Sequence, residues 1–200
     1  MNDLIPLFLI LAAVIGITLW AHKQKKRPYY RASSKPWSIN NSVGLPDSPQ
    51  MTGPNSWIIT LPPDKPASLN YVQWYDHPPI AEGQTITARI RVKGTFRFPE
   101  YGTQPKMTLL LHRKRSNLAS PGYRYYSKAT VPLTEGDHTL SVPVTPEHWG
   151  DVIAAPTPER FRLVLAELES IGVIFGGDGG RGHGVVGGGA SVELLGLSIS

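Results

Sequence analysis

Residues 84–93 read QTITARIRVK and alternate between polar and apolar side chains. The apolar set is Ile86, Ala88, Ile90 and Val92, and the polar set is Thr85, Thr87, Arg89, Arg91 and Lys93. A period of two places one set on each face of a β-strand, which is typical of a half-buried antiparallel strand. The stretch therefore predicts a sheet with one face in a core and the other turned outward.

Further segments on both sides have the same strand character. They are residues 56–61, 68–75, 107–112, 123–127, 138–144, 171–175 and 191–198. Pro143 favours an edge position for its strand, because proline cannot donate a ladder hydrogen bond. Residues 159–168 form the one plausible helix, with Thr157 as cap and Phe161, Leu165 and Leu168 at helical spacing. Short strands separated by Pro, Gly and Asp turns predict an all-β antiparallel sandwich with one short helix.

The N-terminal segment predicts a single transmembrane helix ahead of this sandwich. Residues 4–20 read LIPLFLILAAVIGITLW and carry no charge. A helix over residues 4–21 would cover roughly 27 Å, close to the ~30 Å hydrocarbon thickness of a bilayer. The alternative is a cleaved signal peptide. It is disfavoured because no Lys or Arg precedes the apolar run.

A cationic segment follows the apolar run and holds all of the excess positive charge. The chain has 20 Lys plus Arg, 15 Asp plus Glu and a formal net charge of +5. From Asp47 onward the numbers of acidic and basic residues are equal, so no nucleic-acid partner is expected. The residues expected at the membrane surface are Lys23, Lys25, Lys26 and Arg27.

The charge distribution also predicts location and organisation. Positive charge after the span favours an inner-membrane protein with its domain in the cytoplasm, and a periplasmic or extracellular domain is the alternative. The predicted parts are an anchor at 1–21, a basic Pro/Ser-rich linker at 22–50 and a sandwich at 51–200. The first strand of that sandwich begins as early as Trp37 in one reading.

The C-terminal third resembles the end of bacterial jelly-roll domains related to carbohydrate-binding modules. The resemblance is carried by Trp149, by LESIGVIFGG at 168–177, by GHGV at 182–185 and by SVELLGLSI at 191–199. In those domains a strand ending Phe-Gly-Gly leads through a glycine loop to a Gly-His-Gly strand and a closing apolar strand. The resemblance implies a jelly-roll-like fold and a glycan ligand.

Aromatic strands supply the candidate ligand-binding residues, because sugar rings stack on exposed Tyr and Trp faces. Alternation puts Tyr71, Gln73 and Tyr75 on one side of their strand and Val72 and Trp74 on the other, and Trp74 is expected in the core. The second aromatic strand carries Tyr123 and Tyr125 on one side. The candidates are Tyr71, Gln73, Tyr75, Tyr123, Tyr125 and Arg113.

A glycine-rich segment, residues 176–189, is either a structural connector or a mobile binding loop. It lacks the Gly-Lys-Ser/Thr end of a phosphate-binding loop. Its Gly-x-Gly-x-x-Gly match is followed by no helical pattern. The polar tips of such a binding loop would be Asp178, Arg181 and His183.

No enzymatic signature stands out. The chain has no Cys, its His residues lack metal-ligand spacing, no carboxylate pair stands out as an acid/base couple, and no Gly-x-Ser-x-Gly elbow occurs. We therefore expect no catalytic residue, metal or cofactor, although an orphan glycoside-active enzyme remains an alternative.

The expected partners are the bilayer, through residues 4–21, and either a glycan or a membrane protein. The two functions weighed are a non-catalytic glycan-binding module and a structural or interaction domain of a membrane assembly.

Overall fold

Two antiparallel sheets form the fold in the computed structural model, which describes residues 35–99, 103–113, 124–151, 157–177, 180–181 and 183–200. The strands are β1 (Trp37–Asn40), β2 (Gln50–Gly53), β3 (Ser56–Thr60), β4 (Tyr71–Trp74), β5 (Thr85–Lys93), β6 (Lys106–Arg113), β7 (Arg124–Ser127), β8 (Val131–Pro132), β9 (Gly136–Pro143), β10 (Trp149–Asp151), β11 (Leu168–Gly177), β12 (Gly180–Arg181) and β13 (Ser191–Ile199). The helix α1 spans Pro158–Ala166, and a 3-10 turn covers Pro146–His148.

The chain passes several times from one sheet to the other. The large sheet has the order β1-β4-β11-β6-β7-β10, with β12 beside β11 and β8 beside β6, and the small sheet has the order β2-β3-β13-β5-β9. The runs β3-β13-β5-β9 and β4-β11-β6-β7 are consistent with a jelly-roll-like sandwich. The predicted all-β antiparallel sandwich with one short helix is confirmed for the described part of the chain.

Strand β5 shows why this sequence folds as two layers. Ile86, Ala88, Ile90 and Val92 are all buried, while Arg89 is exposed. The period-two pattern therefore matches the burial residue by residue. The strand that carries Pro143, β9, lies at the edge of the small sheet, as its proline predicted.

The core between the sheets is rich in tryptophan. Trp37 of β1 stacks on Trp74 of β4 with ring centroids 5.5 Å apart, and it meets Trp57 of β3 edge-on at 5.9 Å. Aromatic pairs of this kind contribute about 0.5–1.5 kcal/mol beyond the area they bury. The prediction that Trp74 faces the core is confirmed, since only 7% of it is exposed. β1 lies within residues 22–50, the range expected to be a linker. It begins at Trp37, which is the earlier start considered for the sandwich.

Helix α1 is shorter than predicted, and its predicted apolar residues face the core. The Thr157 side chain accepts a hydrogen bond from the Arg160 backbone N–H at 3.3 Å, so it caps the helix as expected. The helix ends at Ala166, two residues before the predicted end, because Leu168 already belongs to strand β11. Phe161 is buried as predicted, the predicted Leu165 and Leu168 pack partly buried against the core, and Val164 is a further buried residue.

Several predictions concern parts of the chain outside these ranges. They are the span at 4–21, the membrane-surface residues Lys23, Lys25, Lys26 and Arg27, and the site candidates Tyr123 and Asp178. For Arg181 the structure describes the backbone only. Within the described ranges, none of the helices has the length and apolar character needed to cross a bilayer.

Candidate functional site

The outer face of the large sheet, meaning the side that points away from the tryptophan-rich core, carries a connected polar cluster. Val72 and Trp74 of β4 point into the core, so Tyr71 and Gln73 point outward. The same alternation in β6 buries Leu109 and Leu111 in the core and turns Leu110 and His112 outward.

Strand register brings side chains from four strands side by side on this outer face. One row across the sheet begins at Gln73 of β4, which is opposite Gly172 of β11. The row continues with Leu110 of β6 and ends at Tyr126 of β7. The neighbouring row contains Ser170, His112 and Arg124. Residues distant in sequence therefore converge because the middle strands, β11 and β6, pair along most of their length.

Gln73 is the centre of the cluster. Its Nε2 donates to Ser170 Oγ at 2.8 Å, and its Oε1 accepts from Asn40 Nδ2 at 2.7 Å. The same Nε2 lies 3.4 Å from His112 Nδ1. Partners on three neighbouring strands enclose the amide, so Gln73 is only 2% exposed. The prediction that placed Gln73 on an open surface is therefore wrong about its exposure.

Asn40 extends the cluster to the edge strand β1. Its Nδ2 lies 3.0 Å from Ser38 Oγ and 3.4 Å from the Tyr75 hydroxyl. Burial raises the pKa of the Tyr75 phenol above its ordinary 10.0, while hydrogen bonds from Ser38 and Asn40 lower it and nearby Glu169 raises it. Tyr75 is thus a neutral, half-buried ring with a hydrogen-bonded hydroxyl at the rim of the cluster.

A bulge in β11 brings Glu169 to His112. The register between β11 and β6 shifts between Leu168 and Ser170, so Glu169 is the extra residue. Its Oε2 lies 3.6 Å from His112 Nδ1. Burial, with a smaller contribution from the Arg124 charge, lowers the pKa of His112 from 6.5 to about 4. His112 is therefore neutral at pH 7, and the contact with Glu169 is not an ion pair there.

Tyr71 and Arg124 cover the centre of the outer face. Strands β11 and β6 lie between β4 and β7, a distance of about 14 Å at ordinary strand spacing. The Arg124 guanidinium carbon nevertheless lies 5.4 Å from the centre of the Tyr71 ring, and its Nη1 lies 3.4 Å from the Tyr71 hydroxyl. This cation–π pair therefore spans both strands, above the row that contains Gly172 and Leu110.

Beneath this pair lies a buried floor of mixed polarity. Leu110 and Ile174 are 1% and 3% exposed, although they point away from the main core. Thr108 is 2% exposed, and its hydroxyl has no hydrogen-bond partner among the residues that the structure describes. A buried hydroxyl without a partner is costly, and a bound water or ligand oxygen would relieve that cost.

The other predicted site residues lie elsewhere. Tyr125 is fully buried, with its ring edge-on to Phe161 at 5.4 Å, so it belongs to the core and offers no ring to a ligand. Its neighbours Arg124 and Tyr126 take the outward positions. The Arg113 side chain points to the side of β6 opposite that of His112. Its Nη2 forms an ion pair with Glu167 Oε2 at 2.6 Å. His183 is exposed in the glycine-rich segment.

Sequence reasoning missed Asn40, Ser170, Glu169, His112 and Arg124. Asn40 fell in the expected linker, and His112 was one of several scattered histidines. Only the pairing register brings these side chains together, and no local pattern encodes it. The one available signal was the histidine that ends the mostly apolar stretch MTLLLH at 107–112.

This arrangement can hold a polar, uncharged ligand, and it lacks the parts of a metal centre. Among the described residues no three His, Cys, Asp or Glu side chains form a group that could hold a metal ion. No family model, curated protein or solved structure matches this chain.

Proposed function

We propose that this protein is a non-catalytic glycan-binding module, tethered to the inner membrane through residues 4–21. One observation carries the proposal. Half-buried Tyr71, Tyr75 and Tyr126 share the outer face with a hydrogen-bonded set of amide, hydroxyl and imidazole groups. Sugars present apolar C–H faces and a rim of hydroxyls, so they are bound by this combination of aromatic faces and polar side chains.

The residues have different roles in this proposal. Tyr71 and Tyr75 would contact the apolar face of a sugar ring. Asn40 would exchange hydrogen bonds with ring hydroxyls, because its amide is only partly buried. Gln73 is a positioning residue, since its buried amide holds Asn40 at 2.7 Å and Ser170 at 2.8 Å.

The Tyr71–Arg124 pair must separate for a ring to reach the floor of the site. The pair is a contact between a half-buried ring and a half-buried guanidinium, and contacts of this kind contribute about 0.5–2 kcal/mol. That is a modest cost for a ligand that replaces the guanidinium on the tyrosine face. Opening would also expose the Thr108 hydroxyl, which has no hydrogen-bond partner within the described ranges.

A glycan array tests the proposal. The full chain would be labelled and probed in a polyoxyethylene detergent, which carries no sugar to compete. We expect binding to a defined set of oligosaccharides, with the signal weakened by Tyr71→Ala and by Tyr75→Ala. Leu163→Ala, which removes a 40% exposed apolar side chain from α1, is the control and should bind as the unchanged chain does. An array without signal, or equal loss in all three variants, would reject the proposal.

The side of the membrane is a separate part of the proposal. The cationic residues Lys23, Lys25, Lys26 and Arg27 favour a cytoplasmic domain, whereas a glycan ligand favours the outside. A reporter that is active on only one side of the membrane, fused after Ser200, distinguishes the two. Activity outside the cytoplasm would strengthen the glycan proposal and correct the orientation inferred from charge.

An interaction domain is the second candidate, and one edge of the small sheet favours it. β2 pairs only with β3 in the described part of the fold, and its Met51 is 42% exposed. An edge strand with an exposed apolar side chain can pair with a partner protein. A photo-crosslinking residue at position 51 should then give a discrete adduct in cells, while one at position 163 should not. Equal labelling at both positions would reject this candidate.

A further inference from the structure

A cleft at the glycine-rich segment forms a second candidate site, and the outer face takes no part in it. The cleft has a volume of about 520 Å³. The residues that matter for its chemistry are Pro63, Lys65, Thr95, Arg97, Gly187 and Gly188. This size accommodates a small organic molecule.

Hydrogen bonds fix the glycine wall of this cleft. Val186 and Arg97 exchange backbone hydrogen bonds of 2.9 and 2.7 Å. The Ala190 N–H donates to Gly187 O at 3.2 Å, which closes a turn with Gly189 at φ +75°, and Gly189 N–H donates to Leu61 O at 2.9 Å. The positive φ requires glycine at position 189. The segment here is thus held from both sides, as expected for a preformed wall.

The wall presents backbone groups, because Gly187 and Gly188 have no side chains to cover them. Within the described ranges, neither of their N–H groups donates a hydrogen bond. Gly188 is exposed, and Gly187 is half-exposed. Unpaired backbone N–H groups at a surface are ready donors to an anion.

The cleft also carries uncompensated positive charge. Lys65 and Arg97 both line it, and none of the described residues that line it is acidic. Neither cation has a carboxylate within ion-pair distance in the part of the chain that the structure describes. Elsewhere, Arg91 pairs with Asp137 at 2.7 Å and Arg162 pairs with Glu82 at 2.8 Å.

We propose that this cleft binds the oxyanion group of a small ligand, a carboxylate or a phosphate. Arg97 and Lys65 supply charge, and the guanidinium suits paired oxygens. The N–H groups of Gly187 and Gly188 donate to the same group, while Pro63 and Thr95 contact the body of the ligand. This assigns a binding role to the glycine-rich segment through its backbone and through Lys65 and Arg97. The polar tips predicted from sequence, Asp178, Arg181 and His183, have no part in it.

Amide NMR on the full chain with ¹⁵N-labelled glycine tests this directly. Gly187 and Gly188 would be identified by their loss in alanine variants. Inorganic phosphate and acetate are the two probes, titrated separately against sodium chloride at equal ionic strength. We expect saturable shifts of both amides with phosphate or acetate, and the stronger of the two identifies the class. Shifts that grow linearly, or that chloride reproduces, would overturn the proposal.

Matched variants distinguish a site from general charge. Arg97→Gln should weaken binding at least tenfold, whereas Arg89→Gln removes the same charge from the exposed side of β5 and should leave binding unchanged. Gly188→Ala is a steric test. Its Cβ would lie 3.4 Å from Pro63 O and 3.5 Å from Pro63 Cα, so it should narrow the cleft without straining the turn. Equal affinity in Arg97→Gln and Arg89→Gln would contradict the proposal.

Discussion

Substituting Gly172 tests whether the centre of the outer face is as tightly built as the structure shows. Gly172 lies in the middle of β11, opposite Gln73. A Cβ at this position would overlap the carbonyl oxygen of Val72 and lie 2.9 Å from Gln73 Cα. These are backbone atoms of β4, so no side chain can rotate away and the strand itself must move.

The expected loss follows from that geometry. Overpacking a filled interior lowers the free energy of unfolding by about 1–3 kcal/mol. Gly172→Ala should lie at the upper end of this range, because it displaces a paired backbone. For a unit of this size, about 3 kcal/mol lowers Tm by about 6–12 °C. Gly196→Ala is the matched control, because its Cβ in β13 would meet nothing closer than Arg89 Nη2 at 3.6 Å. A Gly→Ala change at a compatible site is neutral or stabilises by up to about 1 kcal/mol.

Urea unfolding followed by tryptophan fluorescence measures both variants, since Trp37, Trp57 and Trp149 are at most 1% exposed in the folded state. We expect a clearly lower midpoint for Gly172→Ala and little change for Gly196→Ala, with the same slope in both. Equal midpoints for the two variants would refute the close approach of β4 and β11.

Other predictions concern stability elsewhere. Phe161→Ala should lose about 3–5 kcal/mol in urea unfolding, because the ring is fully buried, whereas Leu163→Ala on the same helix should change it by less than about 1 kcal/mol. Ser127→Ala should cost about 1–3 kcal/mol by the same assay, because it removes the acceptor of the buried Leu109 N–H at 3.0 Å, and no loss would contradict this. The pKa of His112 is about 4 when folded and near 6.5 when unfolded, so the unfolded chain binds the extra proton and stability should fall as pH drops from about 6.5 to 4. Unfolding midpoints at several pH values should show a shallower decline for His112→Gln, and an unchanged decline would refute the assignment.

Local patterns in the sequence predicted the layers of the fold. The alternation in residues 84–93 matched the burial of β5, and Pro143 marked an edge strand. Such patterns predict burial correctly because the alternation of side chains between the two faces of a strand depends only on residues that are neighbours in the sequence. The predicted end of α1 was two residues too late. Leu168 belongs to β11 because it pairs with β6, and this pairing is a tertiary effect.

The candidate site was only partly predictable for the same reason. Alternation correctly placed Tyr71 and Gln73 on the same side of β4, but it could not show that partners from three strands bury Gln73. Alternation alone did not determine which side of residues 123–127 faces the core, and the choice of Tyr125 as a ligand-binding residue was wrong. The ring of Phe161 against Tyr125 answers that, and it turns Arg124 outward toward Tyr71. The register of distant strands and the contact with α1 thus determine which side chains are buried, which periodicity alone could not show.

Glycan binding at the outer face of the large sheet is proposed to depend on Tyr71 and its neighbours. Calorimetric titration of the full chain with the oligosaccharide giving the strongest array signal tests it most directly. We predict saturable binding that weakens at least tenfold, about 1.4 kcal/mol, in Tyr71→Ala and is unchanged in Arg89→Ala. Equal affinity of both variants, or no heat of binding at millimolar sugar, would contradict the account.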